Sequence, residues 1–196
     1  MIAIKENDTV YIAYSAREMY CWGFADEKTM LMEDNLFSFV ANEENGTIVA
    51  VSYFMHRADA LRYNLKKSLK GELNMKSLYY DIQPEIEEIF EKKGFYANEK
   101  QKNRNKKVQV IIARDDKGYI YNIEDNNFIE LEEGIIACNE DEMFSSCYDA
   151  CSHITDPYEK IKTIYSLYEK CEDEVCFPVV VLDTKSKKHV IIGGKQ

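Results

Sequence analysis

The sequence has no run of apolar residues that approaches the length needed to cross a bilayer. Its N-terminal part also lacks the basic region, the apolar stretch and the small-residue cleavage site of a secretory signal peptide. There is no low-complexity tract, and 45% of the 196 residues are hydrophobic, which is enough to form one core. These features predict a cytoplasmic protein with a single domain that covers residues 1–196.

Positive charge is also scarce, with 25 Lys and Arg residues against 35 Asp and Glu residues and a formal net charge of -10. Because nucleic acids and anionic membranes are polyanions, this balance argues against a general affinity for either partner. One segment, residues 100–107, is locally basic. Since no aromatic residues are interleaved with its cations, we interpret it as a solvated loop. We predict neither nucleic acid nor membrane as a partner.

Closely spaced C-x2-C pairs, the usual signature of a zinc knuckle, are absent. The six cysteines, in a chain of this length without a signal peptide, are expected to be reduced thiols that pack as small apolar side chains. We therefore predict no metal and no cofactor. Five weak candidate ligands remain: Cys147, Cys151, His153, Cys171 and Cys176.

Strand-forming segments occur in three blocks along the chain. Apolar and β-branched residues around turn signals predict these strands. The segments are residues 1–17, 36–52, 108–123, 128–138 and 177–194. The very first residues already have this pattern, whereas chain ends usually fray, so we expect the first strand to be built into a sheet.

Helical spacing of apolar residues separates these blocks with two helix pairs. The first pair is predicted from about His56 to Lys93, with an interruption at Pro84, and the second from about Asp141 to Cys171. Strand blocks that alternate with helix pairs favour antiparallel sheets with helices on their outer faces. The predicted fold class is therefore α+β, a four-layer α-β-β-α sandwich of two mainly antiparallel sheets flanked by helix pairs.

Four stretches of the sequence carry a resemblance to a known family. They are KENDTVYIAYS, TIVAVS followed by ADALRYNLK, VQVIIARDDKGYIYNIED and PVVVLDTKSKKHV. Their pattern and order resemble the first hairpin, a central strand with the first outer helix, a central hairpin and the closing hairpin of the proteasome-type N-terminal nucleophile hydrolases. The resemblance covers nearly the whole chain. It implies the same sandwich, with a nucleophile as residue 1 of the mature chain and a free α-amino group that helps to activate it.

The catalytic residues that this resemblance implies are missing from the matching positions. Residue 1 is Met1, and the next residue, Ile2, has no hydroxyl or thiol either. Ser15 stands where the family has an aspartate, and no lysine occurs between Lys28 and Lys66, where the family has its activating lysine. We therefore predict a catalytically silent assembly or interaction module. Fourteen tyrosines suit half-buried subunit interfaces, which favours a homo-oligomer.

An active peptidase or amidohydrolase with another nucleophile is the alternative. Cys21, beside Trp22, would need a neighbouring cation or base to become a thiolate, and the simpler interpretation is a thiol that packs against an aromatic neighbour. Thr9 would become an N-terminal nucleophile only if trimming removed the first strand and its turn.

Overall fold

The strands form two five-stranded sheets in the computed structural model, which describes residues 1–16, 36–52, 55–96, 108–138, 142–172 and 176–193. The strands are β1 (Ile2–Glu6), β2 (Thr9–Ser15), β3 (Ser38–Asn42), β4 (Thr47–Val51), β5 (Gln109–Arg114), β6 (Lys117–Asn122), β7 (Asn127–Glu130), β8 (Ile136–Cys138), β9 (Val179–Asp183) and β10 (His189–Ile192). Sheet I has the order β10-β9-β2-β1-β8, and sheet II has the order β3-β4-β5-β6-β7. All neighbouring strands within each sheet are antiparallel.

Helices cover the outer faces of both sheets. They are α1 (Met55–Asn64), α2 (Gln83–Lys92), α3 (Glu142–Ala150) and α4 (Pro157–Glu172). A π-helical turn, Leu78–Ile82, leads directly into α2, and Pro84 lies in the first turn of α2, where its missing N–H leaves no hydrogen bond unmade. The predicted interruption at Pro84 is therefore a helix start. No helix in the described ranges is long and apolar enough to cross a membrane.

Three separate apolar clusters show how the layers pack. One lies between the two sheets and includes Ile12 and Ile48, whereas a second lies between sheet II and α1–α2 and includes Leu61. The third lies between sheet I and α3–α4 and includes Ile164. Along β4, successive side chains alternate between the first two clusters, because a strand between two layers is buried on both faces. The four-layer prediction is confirmed.

The first hairpin holds the start of the chain inside sheet I. Asn7 and Asp8 both have positive φ values, 49° and 57°, which suit a two-residue reversal. In the resulting register Glu6 pairs with Thr9, and Ile2 pairs with Ala13. On its other side β1 pairs with β8, so the first strand has a neighbour on each side, as predicted.

A buried ion pair ties the turn end of the first hairpin to the outer helix layer. The Lys160 Nζ on α4 lies 2.5 Å from Glu6 Oε1, and the two side chains are only 7% and 18% exposed. The Tyr148 hydroxyl on α3 donates to the same carboxylate oxygen at 3.1 Å. Burial, together with the Glu6 charge, raises the pKa of Tyr148 to about 12, so the phenol remains a donor at neutral pH.

Arg114, at the end of β5, ties sheet II to its helical layer. Its Nε donates to Thr47 Oγ1 at 2.7 Å, within the sheet. Its two terminal nitrogens donate to the carbonyl oxygens of Leu69 and Gly71, at 2.7 and 2.6 Å. One guanidinium thus satisfies two carbonyls of the connection between α1 and α2.

Candidate functional site

The candidate site lies at the end of the sandwich where β1 begins, the place at which the sequence resemblance implies a nucleophile. The Met1 side chain is 7% exposed and belongs to the core between the two sheets. Because Ile2 pairs with Ala13, Met1 lies beside Tyr14, which is fully buried in the same core. A thioether and a phenol therefore occupy the implied catalytic position.

Tyr14 contacts sheet II across the core. Its ring meets Phe37 edge to face, with centroids 5.6 Å apart. Burial raises the pKa of Tyr14, and the neighbouring Ser38 hydroxyl and the Arg62 guanidinium offset only part of the rise. The phenol is therefore neutral at physiological pH and is not a general base.

Ser38 connects this cluster to the edge of sheet I. It is fully buried on β3, and its carbonyl oxygen lies 3.0 Å from Nε2 of His189 on β10. The hydroxyls of Ser38 and Tyr14 are buried, and neither makes a hydrogen bond of normal geometry within the described residues. This pair could not be predicted from the sequence, because each hydroxyl occurs in a largely apolar strand.

A test of this geometry compares two tyrosines. We expect Tyr14→Phe to leave the free energy of unfolding unchanged or to raise it by up to about 1 kcal/mol, because a poorly bonded buried hydroxyl stabilises nothing. The buried Tyr165 hydroxyl donates to the Ala13 carbonyl at 3.0 Å. Tyr165→Phe should therefore lower the free energy of unfolding by about 1 kcal/mol. Urea unfolding measures both. A larger loss for Tyr14→Phe than for Tyr165→Phe would show that the Tyr14 hydroxyl has a bound partner.

Ser15, at the position where the sequence resemblance implies an aspartate, already makes a hydrogen bond. It lies at the end of β2, is 3% exposed, and its hydroxyl donates to the backbone carbonyl of Cys176 at 2.6 Å. This bond joins β2 to the segment before β9. Ser15 therefore supplies a structural hydrogen bond and, lacking a carboxylate, no negative charge.

Of the two weak nucleophile candidates, Thr9 and Cys21, the structure describes Thr9 and places it away from this site. Thr9 is at the opposite end of the first hairpin, five residues along the ladder from Met1, which corresponds to roughly 17 Å. It is 4% exposed, and its hydroxyl donates to the Asn7 carbonyl at 3.3 Å. Cys21 lies outside the described residues.

Three of the five weak metal-ligand candidates, Cys147, Cys151 and Cys176, lie in the apolar cluster between sheet I and α3–α4. Cys147 and Cys151 are buried on and just after α3, and burial raises the pKa of the Cys151 thiol. Cys176 is also buried, whereas His153 and Cys171 are exposed. None of the four cysteines is in a disulfide bond. Among the residues that the structure describes, no three His, Cys, Asp or Glu side chains converge as a metal site would require.

Comparison with known proteins relates the chain to others by structure. No family model and no curated protein matches the sequence. The solved structure of eukaryotic HslV from Trypanosoma brucei is similar, with a TM-score of 0.50, 10% identity, and coverage of 93% of this chain and 97% of that one. Anbu from Hyphomicrobium sp. strain MC1 is similar with a TM-score of 0.57 and 10% identity, over 100% of this chain and 88% of that one. The chain therefore has the fold of the proteasome-like N-terminal nucleophile hydrolases.

Proposed function

We propose that this protein is a catalytically silent, proteasome-subunit-like module that assembles with copies of itself or with another protein. The observation that supports the proposal is chemical. Residues 1–8 contain no hydroxyl and no thiol, so no residue of β1 or of the preceding position can serve as an N-terminal nucleophile. Instead, the Met1 side chain fills the core between the sheets.

Among the described residues, the two that adjoin Met1 at the end of β2, Tyr14 and Ser15, supply no group that would activate a nucleophile. Tyr14, its direct neighbour, has a raised pKa because it is buried, and the Ser15 hydroxyl is bonded to a backbone carbonyl. Neither side chain supplies the charge that favours deprotonation of a hydroxyl. We therefore expect a threonine placed at position 1 to remain protonated and unreactive.

We expect the purified protein to hydrolyse fluorogenic peptides no faster than the buffer blank. Electrophiles directed at N-terminal nucleophiles should not label it. A Met1→Thr variant, produced with a removable initiator methionine, should also remain inactive, and Met1→Ala serves as its matched control for folding. Intact mass of each sample identifies the residue at which the purified chain begins.

The alternative hypothesis, an active hydrolase, predicts opposite results in the same assay. Turnover by the wild-type protein that is lost in Cys21→Ala would identify a cysteine nucleophile. Turnover that accompanies a shortened mass beginning at Thr9, and that is lost in Thr9→Ala, would identify a processed N-terminus. Either result would overturn the proposal of a silent module.

A further inference from the structure

The sandwich has two opposite edges, each formed by the outermost strands of both sheets. At one edge β10 of sheet I lies beside β3 of sheet II, as the contact between His189 and the Ser38 carbonyl shows. At the other edge β7 of sheet II leads through a short connection into β8 of sheet I. Within the described residues these strands have a ladder partner on one side only. Unpaired strand edges are surfaces that another chain can contact.

The first of these edges is basic. Residues 185–192, KSKKHVII, form the end of the closing turn and β10, and we call them the basic edge. Its three lysines are exposed, and residues 185–192 include no Asp or Glu. The Lys187 side chain lies over Gly46, in the turn between β3 and β4, and the same turn holds the exposed Glu43 and Glu44. Two aliphatic side chains next to the lysines, Val190 and Ile191, are 38% and 48% exposed.

The opposite edge has the same composition with the sign of the charge reversed. Residues 129–136, IELEEGII, run from β7 into β8, and we call them the acidic edge. Its three glutamates are exposed. Two half-buried lysines lie on neighbouring strands: Lys5, which forms an isolated backbone bridge with Glu133, and Lys117 of β6, which comes opposite Glu132 where the β6–β7 register continues. Ile129 and Ile135 are 47% and 50% exposed.

These two edges complement each other in charge and in apolar surface, but each would repel a copy of itself. Contact between like edges, as a two-fold symmetric dimer would require, brings three like charges against three. We propose that the basic edge of one copy binds the acidic edge of the next copy. This inference deepens the assembly role proposed above and rests on it. Since the edges lie on opposite sides of the sandwich, the contact repeats, and it forms a closed ring or an open helical row.

Charge reversal at each edge tests this contact. Lys185→Glu/Lys188→Glu converts the basic edge, so that the protein has two acidic edges, and Glu130→Lys/Glu132→Lys produces a protein with two basic edges. We expect each variant alone to self-associate at least tenfold more weakly than the wild type. An equimolar mixture should recover the assembly, because every acidic edge then meets a basic one. Light scattering after gel filtration at micromolar concentration and low salt measures the mass relative to the 22.9 kDa chain.

A matched control separates edge contact from general charge effects. Lys70→Glu/Lys76→Glu changes the net charge by the same amount as the first variant, on exposed lysines of the helical layer. It should assemble as the wild type does. Recovery of the assembly in the mixture requires that both variants fold. Circular dichroism of each variant alone checks its folding directly.

Each other outcome contradicts the inference in a distinct way. A wild-type assembly that survives both reversals would place the interface elsewhere and leave the assembly role intact. A monomeric wild type would overturn both the edge contact and self-assembly. The lysines near β10 would then serve only to prevent this edge strand from pairing with another chain. Peptide hydrolysis, measured on the same samples, tests catalytic silence independently.

Discussion

Replacing Lys160 by methionine is expected to lower the free energy of unfolding by about 3 kcal/mol, because the Glu6 carboxylate then loses its counter-ion in a largely buried position. Lys160 is 7% exposed, and its contact joins α4 to the turn end of the first hairpin. The Tyr148 hydroxyl still donates to Glu6 in this variant, but a single neutral donor replaces only part of a buried ion pair. Chemical denaturation at neutral pH measures the loss.

A double variant distinguishes the ion pair from the packing of the lysine stem. Glu6→Gln/Lys160→Met removes both charges, and we expect it to lose at least about 1 kcal/mol less than the sum of the two single variants. Lys162→Met, on the same helix, breaks a pair with Glu159 whose side chains are 49% and 62% exposed, and it should cost less than about 0.5 kcal/mol. Equal losses for Lys160→Met and Lys162→Met would mean that the Glu6 contact contributes little.

Arg114→Lys is expected to lower the free energy of unfolding by about 2 kcal/mol, although the charge is conserved. The guanidinium donates in three directions at once, to Thr47, Leu69 and Gly71, and an ammonium on a flexible stem cannot reproduce this fork. Two backbone carbonyls then lose their charged donor.

The same variant should open the α1–α2 connection locally. Hydrogen exchange of amides near Leu69 should become faster in Arg114→Lys, whereas exchange in α4, on the other side of the sandwich, should change only as global stability requires. Lys70→Met, an exposed neighbour of that connection, is the control and should leave exchange unchanged. Uniform acceleration throughout the chain would contradict a local role for Arg114.

Local signals predicted much of the fold. The turn between the first two apolar strands requires residues that tolerate positive φ, and Asn7 and Asp8 adopt it there. Pro84 lies in the first turn of α2, as its missing N–H favours. The apolar residues of β4 do not alternate with polar ones, which is typical of a strand covered on both faces, and β4 lies between two apolar clusters. Such features depend on neighbours in the chain, so they can be read without knowing which strands pair.

The candidate site was predicted only in part. The absence of a hydroxyl or thiol from residues 1–8 is visible in the sequence, but the burial of Met1 beside Tyr14 is not. The Ser38 hydroxyl, 24 positions along the chain, lies near the Tyr14 hydroxyl from the other sheet, and the charge of Arg62 on α1 also acts on it. Contacts of this kind depend on how two sheets and a helix stack, which no local pattern specifies.

The sequence by itself determined the two opposite charge patterns, KSKKHVII and IELEEGII, and the strands to which they belong. Only the tertiary structure decided that both are edges, and that they lie on opposite sides of the molecule. The physical reason is that strand order comes from long-range pairing. β9 pairs with β2 across most of the chain, which leaves β10 outermost, whereas β7 and β8 end the two sheets on the far side.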